Sequence, residues 1–214
     1  MTLFSILLFP LSSLWLLSGK SGGKPPGQII NGFLDYFLPG IIFFIPAFFI
    51  TRFFTGFLSR TYSLPNIFLY HFFIDYFFFQ ILCIAACLYR FRNFIYSGTD
   101  EKLEQYFLFA AGFFTALILH SSITGHGSGD LYTLFFLPVS WLLLVALTVI
   151  ILIFKDYETG YMKMIYIAVL FALPFISAFI PFYFYIKYQI ICVLILIAEV
   201  VAGYILLKMN SIEL

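Results

Sequence analysis

From Leu131 to Phe154 the chain runs without one charged residue. A helix of that length can cross the roughly 30 Å hydrocarbon layer of a bilayer, and the pattern recurs. Apolar runs occupy roughly residues 2–18, 29–51, 66–89, 105–125, 131–154, 163–184 and 188–208. With 63% hydrophobic and 10% charged residues, 214 residues offer too little interior to hide this much apolar surface from water. The solvent for most of the chain is therefore lipid, where every backbone N–H and C=O must find a partner inside the protein; helices do this within a single run. The expected fold is all-α: a polytopic helix bundle of six to seven transmembrane spans, forming one transmembrane domain over residues 1–214.

The first run is the weakest span. It carries Pro10, Ser12 and Ser13 and barely reaches spanning length, and no Lys or Arg precedes it as in a signal sequence. The second contains Pro39, Gly40 and Pro46, which predict a kink or a broken helix. Orientation follows from the bias of Lys and Arg toward cytoplasmic loops. With the N-terminus outside, Lys20, Lys24, Arg90, Arg92, Lys102, Lys155, Lys163 and Lys208 fall inside, and only Arg52, Arg60 and Lys187 fall outside. The expected topology is N-out, C-in, in a plasma or inner membrane.

Net charge is +1, and no basic stripe is present, which argues against nucleic acid as a partner. The lipid bilayer and other membrane subunits are the expected partners. GKSGGKPPG, residues 19–27, lacks the spacing of a phosphate-binding loop and follows no strand. Cys83, Cys87 and Cys192 lie in apolar runs with no CxxC spacing and read as small buried hydrophobes. Thr99, Asp100 and Glu101 suit the start of the fourth helix, where acidic groups complement the dipole. The 31 phenylalanines read as lipid-facing bulk, motifs of small residues for helix packing are scarce, and no internal repeat stands out.

Ionisable groups within apolar runs are costly in lipid and become candidates for function. His71 and Asp75, in HFFID, share a helix face and can touch. A carboxylate bound to the imidazole would fix its tautomer and raise its basicity. In the topology above, Asp75 lies roughly 13 Å below the outer end of its span. His120 ends the fourth span, and HSSITGHGSGD, residues 120–130, continues into a glycine-rich outer turn with His126 and Asp130. Two acids stand apart: Asp35, near the inner end of the second span, and Glu199, midway along the last. No span offers Glu199 an obvious basic partner, so it is expected to hold a proton. Asp35, Asp75 and Glu199 occupy three depths, as a relay across the membrane would.

Three functions fit. The first is a small transport or accessory subunit whose polar cavity opens to the outside near His71, Asp75 and His120, with Glu199 and Asp35 further along the pathway. The second is an integral-membrane metal-dependent hydrolase or lipid-directed transferase. In that case His71, Asp75, His120, His126 and Asp130 would supply ligands for a divalent metal, the one cofactor this donor set suggests. The third is a structural subunit of a membrane complex. Arg52 and Arg60 are candidate anion-binding residues on the outer side. The HxxxD spacing followed by GHGSGD resembles rhomboid-type intramembrane serine proteases, with Ser128 in the nucleophile position. That family needs a histidine base on a later span, and no histidine follows His126, so the serine would lack activation. The adjacent glutamates and paired histidines of CAAX-type proteases are missing as well.

Overall fold

The computed structural model describes residues 3–19, 26–55, 64–91, 99–123, 132–157 and 159–209. Among these residues helix accounts for 97% and no strand occurs. The helices are α1 (Leu3–Gly19), α2 (Pro26–Gly32), α3 (Leu38–Thr55), α4 (Leu64–His71), α5 (Phe78–Phe91), α6 (Thr99–Ile123), α7 (Leu137–Tyr157), α8 (Gly160–Ser177), α9 (Phe179–Tyr185) and α10 (Gln189–Met209). Six segments are long and apolar enough to cross a membrane: Ile29–Phe53, Phe68–Phe91, Glu101–His120, Leu137–Lys155, Gly160–Tyr185 and Gln189–Leu206. They correspond to six of the seven apolar runs and are compatible with a multi-pass membrane protein. α1 has 17 residues, about 26 Å of helix, which is shorter than the hydrocarbon layer. α6 begins at Thr99, where the Thr-Asp-Glu sequence placed its start.

Wider π turns occur at Phe33–Phe37, Phe72–Phe77 and Tyr132–Phe136. Two have a covalent cause. Pro39 and Pro138 have no N–H to give the carbonyls of Asp35 and Leu134, four residues back, and each helix widens just ahead of its proline. At the first, the Leu38 N–H reaches the carbonyl of Phe33, five residues back. The expected kink in the second span thus takes the form of a π turn, and α3 runs on through Pro46. The π turn at Phe72–Phe77 has no proline after it; there the Phe78 N–H reaches the Phe73 carbonyl.

The chain forms two compact units, residues 1–46 with 83–138, and residues 47–82 with 139–213. The first is centred on α6, whose residues Leu108 to Leu117 are all buried. An apolar surface all round is what a helix at the centre of a bundle requires. Phe9 of α1 stacks on Phe114, centroids 6.0 Å apart, and Phe91 stacks on Tyr106 at 4.7 Å. The closest approach is a reciprocal glycine crossing. A Cβ at Gly112 would overlap the carbonyl of Phe37, and one at Gly40 would overlap the carbonyl of Phe109. Each helix presents the same Phe-x-x-Gly step, Phe37 to Gly40 and Phe109 to Gly112, so backbone meets backbone as in small-residue membrane packing. The scarcity of such motifs in the sequence was misleading here. One glycine on each helix suffices.

In the second unit, side-chain contacts fix the helix directions. Residues 75 and 76 meet 141 and 140, and Gln80 meets Thr148 further on, so the chain runs in the same overall direction through the Asp75–Gln80 segment and α7. Gln80 meets Leu170, Phe72 meets Phe175 and His71 meets Tyr185, so α8 and α9 run the opposite way. Phenylalanine rings fill this contact rather than facing lipid alone: Phe68 lies 5.3 Å from Phe175 and 4.8 Å from Phe179 between centroids. The outer faces of α8 and α10 remain apolar and exposed, with Ile190 78% accessible. That surface is unfavourable in water and suited to lipid. α9 closes with Lys187 at φ +68°. The Tyr188 N–H bonds to the Tyr183 carbonyl and the Lys187 N–H to the Phe184 carbonyl, a helix stop that usually employs glycine.

Candidate functional site

The second unit holds the His71–Asp75 pair, Gln80 and Glu199. His71 ends α4 and Asp75 sits in the π turn that follows. Their Nδ1 and Oδ2 atoms are 2.5 Å apart. An ionised carboxylate only accepts, so Nδ1–H donates and Nε2 becomes the basic nitrogen. The ring stacks on Tyr185 at 5.5 Å and 22°. Asp75 is held a second way, because its main-chain carbonyl accepts the Trp141 indole N–H at 2.9 Å. A side chain of α7 thereby supplies a donor within the widened turn. One residue further, the buried Tyr76 hydroxyl and Ser140 Oγ lie 3.0 Å apart.

Gln80, buried, bridges three helices. Its Nε2 donates to Thr148 Oγ1 at 2.8 Å and to the Leu170 carbonyl at 3.2 Å. The second bond follows from sequence: Pro174, four residues after Leu170, has no N–H to give that carbonyl. Gln80 Oε1 has no hydrogen-bond partner among the described residues.

Pro181 repeats the device and takes the helix donor from the carbonyl of Ser177. α8 stops at Ser177, Ala178 turns with its backbone still in the right-handed helical region, and α9 resumes at Phe179, so the span Gly160–Tyr185 is interrupted by one residue at this point. Against this break lies Glu199 of α10, 4% accessible. Ser177 Oγ donates to Glu199 Oε1 at 2.7 Å. Glu199 Oε2 has no hydrogen-bond partner among the described residues. Cys192, Leu196 and Glu199 share the buried face of α10, a spacing of four and three that suits one helical stripe. Cys192 Sγ donates to the Ile180 carbonyl at 3.2 Å, just beyond the same break.

No known protein family, no characterised protein and no solved structure matches this chain. Function has to be read from these residues.

The structure pairs His71 with Asp75 and gives Glu199 a partner on a neighbouring helix. His120 belongs to the first unit, where its ring lies 6.3 Å from that of Phe44. Asp35, expected from the sequence to be a buried acid, lies in a π turn with its side chain exposed. Arg52 is exposed on α3. Arg60, His126, Ser128 and Asp130 lie outside the described residues. Among those described, no three His, Cys, Asp or Glu side chains are grouped to hold a metal ion. Gln80, Thr148, Trp141 and Ser177 do not stand out in the sequence. The available signal was the pair Pro174 and Pro181, each four residues past a carbonyl that then needs another donor or a cation. A second signal was the tetrapeptide pair Leu-Asp-Tyr-Phe and Ile-Asp-Tyr-Phe, residues 34–37 and 74–77. Both lie in π turns.

Proposed function

We propose that this chain is a small transport protein or transport subunit of a plasma or inner membrane, oriented N-out and C-in, and that Glu199 is its ion-coupling residue. One observation carries the reading: a buried carboxylate with one oxygen unpartnered among the described residues, set against the one-residue interruption of a proline-bearing span. Ionisable groups in spans mark proton and ion pathways, and broken helices mark the binding sites of secondary transporters. His71 and Asp75 would stand along the same pathway toward the outer side.

The test uses purified protein reconstituted into vesicles. Infrared difference spectra are recorded across a pH jump, and flux is followed with an internal pH dye under an imposed gradient. Wild type is expected to show a protonated-carboxyl C=O band and gradient-driven flux; Glu199→Gln loses the band and slows flux at least tenfold. A Glu199→Gln protein that matches wild type in both measurements refutes the proposal.

A further inference from the structure

We infer that the Ser177 break is a binding site for a small monovalent cation, sodium by preference, on the premise that Glu199 is the coupling residue proposed above.

Four features of the site select this ion. The donors around Glu199 are oxygens: its own two carboxylate oxygens and Ser177 Oγ; Pro181, which has no N–H, also withholds the usual helix donor from the Ser177 carbonyl. Oxygen-only sets suit hard cations and give no foothold to metals that favour imidazole or thiolate. Charge comes next. Glu199 is the carboxylate at the break, with Ser177 as its side-chain partner, and the nearby Cys192 thiol is engaged with the Ile180 carbonyl. One carboxylate balances one positive charge. A divalent ion would leave a net charge buried in a medium that penalises it heavily.

The third feature is the field of α8 itself. The carboxylate lies at the C-terminal end of an 18-residue helix, where the dipole is negative. That position disfavours a bare anion and favours a cation between carboxylate and helix end. Depth is the fourth. Glu199 has ten residues of α10 on either side of it, about 15 Å of helix each way, so it sits midway along its span. The ends of half-helices and unwound carbonyls at mid-membrane depth bind sodium or protons in coupled transporters.

A proton alone would also neutralise Glu199, and the experiment separates the two ions. Purified wild type, Glu199→Gln and Ser177→Ala are unfolded thermally in sodium, potassium or choline chloride at one ionic strength. Retained radioactive sodium is counted in parallel. Sodium is expected to raise the wild-type Tm by several degrees over potassium and choline, since a ligand bound only by the native state stabilises it. About one sodium should be retained per chain. Ser177→Ala keeps the carboxylate and should weaken sodium affinity about tenfold; Glu199→Gln should abolish the sodium effect.

Equal Tm values in all three salts with no retained sodium overturn the inference, and so does stabilisation by calcium or magnesium in place of sodium. If the carboxyl band of Glu199 persists in that case, the coupling ion is a proton and the function proposed above survives. If both signals are absent, both fall. Should Glu199→Gln fail to fold, Ser177→Ala decides: unchanged sodium affinity there removes the site.

Discussion

The tightest glycine contact among the described residues is testable by adding a single carbon. Gly112→Ala places a methyl group on the carbonyl of Phe37, with the Phe37 carbonyl carbon at 2.9 Å and its Cα at 3.2 Å. All three atoms are backbone, so no rotamer change relieves the overlap. Returning the carbon alone to ordinary van der Waals distance moves the helices apart by roughly 0.5 Å, and the nearer oxygen demands about 1 Å. A gap of that size forfeits a quarter to a half of each dispersion well. It also weakens the rings that close over the crossing, Phe43 on Phe109 and Phe44 on Phe113, both at 5.5 Å. Overpacking costs about 1–3 kcal/mol, and each Cα–H···O hydrogen bond that the separation breaks costs about 0.5–1 kcal/mol more. The expected destabilisation is about 2–4 kcal/mol. Reversible denaturant or thermal unfolding in one detergent measures it. Gly203→Ala is the internal control, because its Cβ would meet only the flexible end of Leu147 at 3.3 Å; it should lose less than about 1 kcal/mol. The double variant Gly40→Ala/Gly112→Ala should lose less than the sum of its parts, since the first methyl has already separated the helices. A Gly112→Ala protein as stable as Gly203→Ala, or strict additivity in the double variant, would refute the backbone crossing.

Three other outcomes follow from the second unit. Gln80→Leu leaves the Leu170 carbonyl and the Thr148 hydroxyl without their donor and should destabilise by about 1–3 kcal/mol. Adding Pro174→Ala restores an N–H to that carbonyl, so the double variant should recover roughly 1 kcal/mol, and additivity in the cycle would count against the proline argument. Lys187→Gly should stabilise the protein by up to about 1 kcal/mol in thermal unfolding, because it removes the Cβ from a left-handed position; a loss of stability would show that the lysine side chain contributes more than its backbone strain. Nitrogen NMR of histidine-labelled protein should find His71 protonated at Nδ1 when neutral. Asp75→Ala should shift that tautomer population, and an unchanged spectrum would remove the dyad.

Much of the architecture was legible because its causes are local. Runs of apolar residues, the Thr-Asp-Glu start of α6 and the prolines ahead of two π turns each act within a few residues of themselves. Glu199 was legible for the opposite reason: a carboxylate among isoleucines and valines stands out without any partner. Its partner was not legible. Ser177 is an ordinary serine until α10 folds back against the break, and Gln80 gains meaning only when Pro174, on a different helix, exposes a carbonyl. The glycine crossing was hidden because each helix carries only half of the motif. Asp35 was read as buried from its depth in an apolar run, and its side chain is exposed: hydropathy gives position along a span, not which side of the helix other helices cover.

Four of the prolines bear on the site; Pro10 and Pro46 likewise withhold a helix donor, from the carbonyls of Ile6 and Ile42. In lipid each carbonyl deprived of its helix donor must find another. Pro39 and Pro138 are preceded by π turns, in which the helix finds its partners at five residues instead of four. Pro174 exposes Leu170, and Gln80 meets it with a buried amide. Pro181 exposes Ser177, and the ionisable group placed beside that break is a carboxylate, which has no hydrogen to offer while it is ionised. The Ser177 hydroxyl offers its hydrogen to Glu199 Oε1. Glu199 Oε2 is thus a buried electronegative atom beside a helix end, with no hydrogen-bond partner among the described residues, and a positive group there would be favoured. Replacing Pro181 with alanine would return a donor to the Ser177 carbonyl while leaving Glu199 in place. If the break exists to hold a cation, Pro181→Ala should raise thermal stability in choline and shrink the stabilisation by sodium. If the break is only a bend, stability should rise equally in both salts.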